Sequence, residues 1–446
     1  MMFLAGCGAR SMAAAFENWD SLRAALAGER AGLSLSFYEG WGWVTDARQL
    51  ALASGEQVVR FAGVPSRVER GFLQIPGTVR RSRVRFDLRT KEQLLERFAG
   101  KTVDVWLPNA TESVPAILLW SESGPMFKVG NRIYPEVQRV ALPDADLATE
   151  PLLEWQVSAG AWSGVATASY LVNGLAWSSD YLLETDRGQT RGDWKHWANL
   201  ANRSGGDFRD AMVTLIAGEV RRDQVFDRME RMAPMAPVAA GASFAAVPFA
   251  GRYQYVLGKL TLLRNTEERV LLGESLGIPV RRTFRIESAL GGDPELPRKP
   301  RIRLSLTLSK PAPRGKVTVL SPDPSGKLAV IGEPTIPDSP SGQPILLDLG
   351  EAFDLTVDRK QTNQRIVGED REISYRLILR NQLDEAATIE VVENFYGDWT
   401  IEESSQPYEK LSATQALFRP RIPAKGEVTL TYRVLLKRDR PKILPE

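Results

Sequence analysis

Histidine and cysteine are almost absent from this chain of 446 residues, which contains one of each, His196 and Cys7. Metal centres made of several histidines or cysteines and disulfide frameworks within the chain are therefore excluded. Catalysis that uses histidine as a general base has a single candidate residue. No stretch reaches the roughly 18 unbroken apolar residues of a membrane-spanning helix. We expect the protein to bind no metal ion and no other cofactor.

A strong excess of either charge is also lacking, because 57 Lys and Arg residues against 55 Asp and Glu residues leave a net charge of +2. Proteins dedicated to nucleic-acid binding usually carry a clear basic excess, so we expect no nucleic-acid partner. What is present is the composition of an ordinary folded protein, with 43% hydrophobic and 25% charged residues. At roughly 100 to 150 residues per domain, the length predicts two to four domains.

The N-terminus carries a short match to a processing signal. Leu4-Ala5-Gly6-Cys7 resembles the lipobox of bacterial lipoproteins, in which the cysteine is lipidated after cleavage. The segment before Cys7 is too short for the basic and apolar regions of a secretory signal. One interpretation is that the true start lies upstream and that lipid on Cys7 anchors the protein; the alternative is a chance match. We therefore predict that residues 1–32 form an N-terminal tail with a truncated lipoprotein signal, although the apolar spacing in Ala13–Ala27 is helical.

Short β-prone segments separated by turns follow from residue 33 onward, so we predict a mainly β fold with few short helices. Residues 33–150 are predicted to form an N-terminal β domain that includes a small barrel. Its one clear helix is Thr90–Phe98, because Leu94, Leu95 and Phe98 share a face and Gly100 follows the end. The fold class expected for the whole chain is several β-sandwich or small-barrel domains with an immunoglobulin-like sandwich at the C-terminus.

The remaining chain is predicted to form two further domains. Residues 151–298 are assigned to a middle β domain, in which residues 228–251 are rich in Met, Pro and Ala and are expected to form a flexible loop. Residues 299–440 show the cleanest alternation of apolar and polar residues, as expected for strands with one buried face. This alternation favours an immunoglobulin-like sandwich. It occurs in Arg301–Leu308, Glu372–Arg380 and Val428–Leu436.

Several short segments, in order along most of the chain after Leu33, carry a family resemblance. They are Phe61–Pro65 (FAGVP), Leu94–Lys101 (LLERFAGK), Ser169–Tyr181 (SYLVNGLAWSSDY), Leu200–Ala211 (LANRSGGDFRDA), Leu215–Val220 (LIAGEV), Ile278–Arg282 (IPVRR), Leu349–Phe353 (LGEAF), Gly397–Trp399 with Pro407–Lys410 (PYEK), and Ile422–Tyr432 (IPAKGEVTLTY). Together they resemble bacterial, mostly secreted proteins with a domain of unknown function that also occurs in mucoidy-inhibitor proteins. The resemblance implies a secreted β-rich protein and supplies no catalytic residues. The sequence shows no pattern for the coiled-coil region of the mucoidy inhibitors, which weakens any transfer of their role in exopolysaccharide control.

Tryptophan residues are concentrated in the middle of the chain, and two interpretations of them stay open. Exposed tryptophans stack on sugar rings, whereas buried ones fill cores. The five residues are Trp155, Trp162, Trp177, Trp194 and Trp197. The candidate binding residues are Trp177, Trp194 and Trp197, together with Asp207 and Asp210.

The same region contains the residues that an enzyme would use. Asn202–Gly205 is predicted to form a hairpin turn, and Asp207 and Asp210 are expected to bind turn amides. His196 between two tryptophans is the only histidine for a catalytic triad, although an ordinary strand position is the other interpretation. A carboxylate pair for glycoside hydrolysis could be drawn from several acidic residues, which also occur together by chance. These are Asp180, Asp207, Asp210 and Glu219.

Two functions from different classes follow. The first is a non-enzymatic cell-envelope protein, exported to the periplasm, the outer-membrane surface or the medium, that mediates adhesion, assembly or polysaccharide contact through its β domains. Its expected partner is an envelope protein or a polysaccharide. The alternative is a carboxylate-based hydrolase of envelope glycans, which requires two carboxylates facing one deep cleft.

Overall fold

A computed structural model describes residues 19–88, 90–143, 147–220, 244–291 and 296–437. Within these ranges the chain forms 32 strands, one α-helix and one 3-10 helix at Trp19–Ser21, which confirms the predicted mainly β fold. None of the helices in these ranges is long and apolar enough to cross a membrane. Cys7 and residues 228–243 of the predicted loop lie outside the described residues.

The elements before residue 144 are mostly short strands. In chain order they are β1 (Arg23–Leu26), β2 (Arg30–Phe37), β3 (Trp41–Leu52), β4 (Gly55–Ala62), β5 (Val68–Gln74), β6 (Thr78–Arg85), α1 (Lys91–Arg97), β7 (Thr102–Trp106), β8 (Val114–Ser121), β9 (Gly124–Val129), β10 (Arg132–Tyr134) and β11 (Arg139–Ala141).

The next elements include the longest strands of the chain. They are β12 (Leu152–Ala159), β13 (Trp162–Asn173), β14 (Leu175–Thr185), β15 (Arg191–Asn202), β16 (Phe208–Ala217), β17 (Val247–Phe249), β18 (Arg252–Leu262) and β19 (Thr266–Ala289).

The C-terminal strands complete the fold. They are β20 (Arg301–Thr307), β21 (Gly315–Pro322), β22 (Leu328–Gly332), β23 (Thr335–Ile336), β24 (Pro344–Glu351), β25 (Leu355–Val367), β26 (Asp370–Asn381), β27 (Ala387–Asn394), β28 (Trp399–Ser404), β29 (Tyr408–Ser412), β30 (Gln415–Phe418), β31 (Arg421–Ile422) and β32 (Glu427–Leu436).

The chain divides into two compact units that do not follow the three consecutive domains predicted from the sequence. The first unit joins the residues up to Trp177 with Leu200–Glu268, and the second joins Ser178–Asn199 with the residues from Arg269 onward. The unit limits therefore fall inside β14, β15 and β19. The predicted limit at 150/151 lies within the first unit, because strands on both sides of it pair in the same sheets. The limit at 298/299 likewise lies within the second unit.

Two sheets of the first unit combine early and late strands. The larger has the order β17-β18-β16-β2-β3-β13-β5, and the smaller has the order β1-β4-β12-β6. Strand β13 pairs along its length with β3, from Trp162 opposite Leu52 to Asn173 opposite Trp41. Such pairings join residues more than a hundred positions apart, so patterns within short segments of the sequence do not indicate them.

A third sheet of the first unit is local and lies against α1. Its order is β10-β9-β8-β7-β11. The Thr90 hydroxyl caps the helix by accepting the Gln93 N–H at 3.2 Å, and Leu95 and Phe98 are buried against the strands. The helix, Lys91–Arg97, is one residue shorter at each end than the predicted Thr90–Phe98, whose end residues are its caps, and its buried face is the predicted one. Hydrophobic side chains of the sheet complete this core, namely Val103, Val105, Ala116, Leu118 and Phe127.

Two segments predicted to lack strands contain them. Arg23–Leu26, in the predicted tail, pairs in parallel with β4, and β2 already begins at Arg30. Val247–Phe249, in the predicted loop, pairs with β18 through a tight turn at Ala250 and Gly251, both with positive φ. Both strands are short and are held by backbone hydrogen bonds, the first to β4 and the second to the next strand, β18. Side-chain periodicity over three or four residues is too brief to reveal them.

The second unit contains a branched twelve-stranded sheet and a separate four-stranded sheet. The main path of the larger sheet is β22-β21-β14-β15-β19-β27-β30-β29, and the smaller has the order β25-β26-β32-β28. Strand β20 branches from β19, β24 pairs with β20, and the two enclose a core with β14, β15 and β21. This core includes Tyr181, Leu183, Trp194, Val280, Leu304, Leu306, Val317, Val319, Ile345 and Leu347.

The C-terminal end of the second unit is a β-sandwich. The four-stranded sheet packs on β19, β27 and β30 through one buried cluster that includes Leu377, Val391, Trp399 and Tyr432. An ion pair lies inside it, where Arg359 donates to both carboxylate oxygens of Glu393 at 3.1 and 3.0 Å. A C-terminal sandwich is therefore present, but it does not cover the whole of the predicted range 299–440. Strands β20, β21 and β24 belong to the preceding core, and Phe284 and Ile286 of β19 join the sandwich.

Candidate functional site

Strand β15 presents different residues on its two sides. Trp194, His196 and Ala198 are buried, whereas the alternate residues Lys195 and Trp197 are half-buried. This follows from the two-residue period of a strand, which sends successive side chains to opposite faces. The predicted tryptophan pair of this strand is therefore split between the core and the outer side of the sheet.

Trp177 and Trp194 are core residues. The Trp177 indole is 8% exposed, donates its N–H to the Ile216 carbonyl at 3.0 Å and meets Tyr255 edge-on. Trp194 is 3% exposed and packs against Tyr181, with 4.8 Å between ring centroids. Neither ring is available to stack on an external sugar.

Trp197 is different, because it is half-buried and the guanidinium of an ion pair lies against its ring. The Arg269 guanidinium carbon lies 4.8 Å from the Trp197 ring centroid. The same guanidinium donates to Asp180 Oδ2 at 2.7 Å, which fixes it between the carboxylate and the indole. On the neighbouring positions of the same strands, Lys195 Nζ lies 3.2 Å from Glu184 Oε1. We call these five residues the Trp197 face.

The Trp197 face combines one planar apolar ring with two ion pairs. Stacking of a guanidinium on tryptophan is favourable, most of all where water is partly excluded. The Arg269 guanidinium lies between the Asp180 carboxylate and the Trp197 indole, which orients its remaining N–H groups. A flat ring beside fixed donors and acceptors is suited to binding a hydroxylated ring compound.

His196 lies on the opposite, buried side of β15. Its Nε2 is 3.0 Å from the Ser179 hydroxyl, and its ring stacks on Tyr181 with centroids 4.5 Å apart. Burial lowers the pKa of His196 to about 3. A base of this strength is poorly matched to removing a proton from serine near neutral pH. The Ser179–His196 pair therefore serves as a buried hydrogen bond, in agreement with the interpretation of His196 as a strand residue.

Asp207 and Asp210 have different structural surroundings in the first unit. Asp207 Oδ1 accepts the Arg264 N–H at 2.9 Å, and its carboxylate lies 3.6 Å from the guanidinium groups of Arg209 and Arg264. Asp210 has a φ of 52° at a register shift of β16, and its N–H donates to Thr261 Oγ1 at 3.1 Å. Asp207 thus binds a turn amide as predicted, and Asp210 occupies a bulge.

The Asn202–Gly205 segment is a connection between sheets, not the predicted hairpin turn. It joins β15 to β16, and β16 pairs with β18 and β2. The buried Asn202 amide donates to the carbonyls of Gly206 and Leu262, and its oxygen accepts from Ser204. The Asn202 and Ser204 side chains therefore form hydrogen bonds with backbone groups of this connecting segment.

Three segments of the family resemblance meet at this connection. The Arg203 N–H donates to the Gly174 carbonyl at 2.7 Å, and the Arg67 N–H donates to the Ser204 carbonyl at 3.0 Å. A Cβ on Gly174 would lie 2.5 Å from the Arg203 carbonyl oxygen, and one on Gly205 would overlap the Ser66 hydroxyl. We call this contact of residues 65–67, 173–174 and 203–206 the turn junction. Its glycines, and Asn202 directly before it, have structural roles.

The other residues singled out from the sequence do not add to the Trp197 face. Trp155 is buried, and its indole donates to the Gly71 carbonyl at 3.2 Å in the first unit. Trp162 is half-buried and Glu219 exposed, also in the first unit. Among the described residues, no group of three or more His, Cys, Asp or Glu side chains is arranged to hold a metal ion.

Sequence reasoning identified Trp197 and Asp180 separately but missed Arg269, Lys195 and Glu184. Alternation along β15 would have placed Lys195 beside Trp197. Nothing in the sequence indicates that Arg269 pairs with Asp180, which is 89 residues away in the chain. That contact depends on the order of β14, β15 and β19 in the sheet.

Comparison with known proteins adds no relative. No protein-family model matches the chain, and no curated protein gives a significant match. The resemblance to the domain shared with mucoidy-inhibitor proteins rests on the sequence segments alone and stays a prediction.

Proposed function

We propose that the protein is a non-enzymatic, exported cell-envelope protein that contacts a surface polysaccharide through the Trp197 face. The observation that carries this proposal is the half-buried Trp197 indole, held beside Arg269 and Asp180 on the outer side of a sheet. Export and an envelope location are supported by the lipobox-like Leu4–Cys7 and by the segments that resemble a mostly secreted family.

The chemistry of a sugar fits this face better than that of an apolar ligand. The C–H side of a pyranose ring stacks on an indole, and its hydroxyls take hydrogen bonds from guanidinium and ammonium groups and donate them to carboxylates. The two ion pairs hold these groups before a ligand arrives. Fewer side chains then lose freedom on binding, which favours affinity.

The hydrolase is the second candidate, and the contacts of Asp180, Asp207 and His196 argue against it. Asp180 is paired with Arg269, and Asp207 is bound by a backbone N–H and faces two arginines. His196 is buried and hydrogen-bonded to Ser179. Each of these groups already has a structural partner. General acid catalysis needs a carboxylic acid free to protonate a leaving oxygen.

Binding of the full chain to envelope polysaccharides, measured by isothermal titration calorimetry, tests the proposal. We expect Trp197→Ala to weaken binding at least about tenfold, as is typical for loss of an aromatic anchor. Trp106→Ala is the matched control, because Trp106 is also half-buried and lies 5.3 Å from an arginine, Arg139, on another sheet. Equal binding by the wild type and Trp197→Ala would refute the proposed face.

The same polysaccharides distinguish the hydrolase. Release of new reducing ends by the wild type, and its loss in folded Asp180→Asn or Asp207→Asn variants, would replace binding by catalysis as the function. We expect no release with any of the three proteins.

A further inference from the structure

Strand β22 is an unusual sheet edge. Sheet edges expose unpaired backbone N–H and C=O groups, and proteins commonly protect them with charges or prolines. In the described part of the chain, every edge strand of three or more residues except β22 contains at least one charged residue or a proline. The sequence of β22 is Leu-Ala-Val-Ile-Gly, and it pairs on one side with β21.

The first three side chains of β22 are exposed as well as uncharged, whereas Ile331 packs against the core. Leu328 and Val330 are 52% and 60% exposed, and Ala329 between them is also exposed. Leu328 and Val330 are two residues apart and share one face. The edge therefore offers both a backbone ladder and an apolar pair to an added strand.

Charges directly before and after β22 indicate which strand is added. Lys327 precedes the apolar run, and Glu333 follows it with its carboxylate 2.9 Å from Lys316 and still half exposed. Antiparallel pairing with a second copy of this run brings Lys327 of each copy toward Glu333 of the other at both ends. Parallel pairing would instead bring like charges together, which is unfavourable.

We propose that two copies of the chain pair antiparallel through their β22 strands and continue the sheet of the second unit across the dimer. Leu328 and Val330 of the two copies form the apolar contact at the centre. A register shift in the pairing of β22 with β21, between Val319 and Leu320, lies near the C-terminal end of β22. The new ladder is therefore short, so we expect a dimer that dissociates on dilution. This inference does not depend on the polysaccharide proposal.

Sedimentation velocity of the full chain over a range of concentrations tests the dimer. We expect the wild type to dimerise and Val330→Lys to raise the dimer dissociation constant about tenfold or more, because the new charges face each other across the edge. Ile117→Lys is the control. Ile117 is 41% exposed on β8 and pairs with Thr102 of β7 on one side and Lys128 of β9 on the other, so it offers no free edge. A monomeric wild type, or dimers of equal strength in all three proteins, would overturn the proposal.

A charge exchange tests the antiparallel arrangement. Lys327→Glu alone and Glu333→Lys alone each bring like charges together at both ends, so we expect each variant to dimerise more weakly than the wild type. An equimolar mixture of the two variants restores opposite charges at both ends. We expect the mixture to form a mixed dimer with near wild-type affinity. A mixture as weak as the separate variants would contradict the antiparallel arrangement.

Discussion

His196 shows how the surroundings of one residue decide between catalysis and structure. The imidazole is 9% exposed, stacked on Tyr181 and hydrogen-bonded to Ser179. Burial disfavours the charged imidazolium, which is why the pKa falls to about 3 from the ordinary value of 6.5. The single histidine of the chain is therefore neutral at physiological pH.

This burial makes stability depend on pH with a definite sign. Below pH 6.5 the unfolded chain takes up a proton at His196, whereas the folded protein stays neutral there until about pH 3. The contribution of His196 to stability is thus complete above pH 6.5 and is lost as pH falls toward 3, at up to roughly 1.4 kcal/mol per pH unit. We expect His196→Phe to lose less free energy of unfolding than the wild type between pH 7.5 and 4.5, as measured by urea denaturation. Parallel losses in both proteins would show that His196 is protonated in the folded state.

Arg359 and Glu393 form a buried ion pair that no local sequence pattern indicates. Glu393 is fully buried and Arg359 is 4% exposed, and the guanidinium also stacks over Tyr375 at 3.9 Å. Burial raises the pKa of the Glu393 carboxyl, and the Arg359 charge opposes that shift. The pair is stable because each charge satisfies the other inside the sandwich.

Removing only one member of this pair should be costly. We expect Arg359→Met to lower the free energy of unfolding by about 3 to 5 kcal/mol, because it leaves a buried carboxylate without its partner. The double variant Arg359→Met with Glu393→Leu removes both charges and should recover a large part of the loss. Denaturant unfolding of the three proteins checks the prediction. A double variant less stable than Arg359→Met would mean that polar contacts other than the pair determine the cost.

At the scale of elements, the sequence predicted those whose side chains carry their own pattern. Helix α1 followed from the shared apolar face of Leu94, Leu95 and Phe98 and from Gly100 just past its end. Strands β20, β26 and β32 followed from the alternation of apolar and polar residues, because one face of each strand is buried and the other faces solvent. Strands β1 and β17 were missed, since their place is fixed by backbone pairing with β4 and β18.

The turn junction is an element whose structural role the sequence did not disclose. Gly174 follows β13 with a φ of +83°, and its backbone contacts the connection between β15 and β16. Asn-Gly alone predicts a tight turn. Here a second cause also requires glycine at position 174: the Arg203 carbonyl oxygen lies so close that a Cβ atom would overlap it.

Replacing each of two glycines by alanine separates the cost of a positive φ from the cost of the close contact. Gly40 has a φ of +86° and nothing within 4 Å of an added Cβ, so Gly40→Ala should cost about 1 to 2 kcal/mol from backbone conformation alone. Gly174→Ala should cost about 1 to 3 kcal/mol more, because its Cβ lies 2.5 Å from the Arg203 oxygen. Urea unfolding of both variants measures the difference. Equal losses would show that the junction opens without penalty.

On the scale of the whole molecule, the order of strands in each sheet is what the sequence could not supply. The mainly β class and the C-terminal sandwich follow from local patterns. The first unit instead pairs β2 with β16, β3 with β13 and β4 with β12, across the predicted boundary at residue 150. Alternation shows that a strand has a buried face but does not identify its neighbour. For the same reason the Trp197 face, built from β14, β15 and β19, was only partly foreseen.

Fragments of the chain test this arrangement. Residues 1–150 lack β12, β13 and β16, so their β2, β3 and β4 lose the strands with which they pair. By contrast, β7 to β11 form a sheet among themselves, with α1 against its buried side. A domain of roughly 60 residues with its own core is small but can fold alone. We therefore expect fragment 88–149 to give dispersed amide signals in NMR spectra. Fragment 1–150 should give the same dispersed signals. Its residues before 88 should add signals in the narrow range of amide chemical shifts that is typical of an unfolded chain. Dispersed signals from Trp41 and Trp43 in fragment 1–150 would show that β3 folds without β13, and the domain boundary at 150 would then stand.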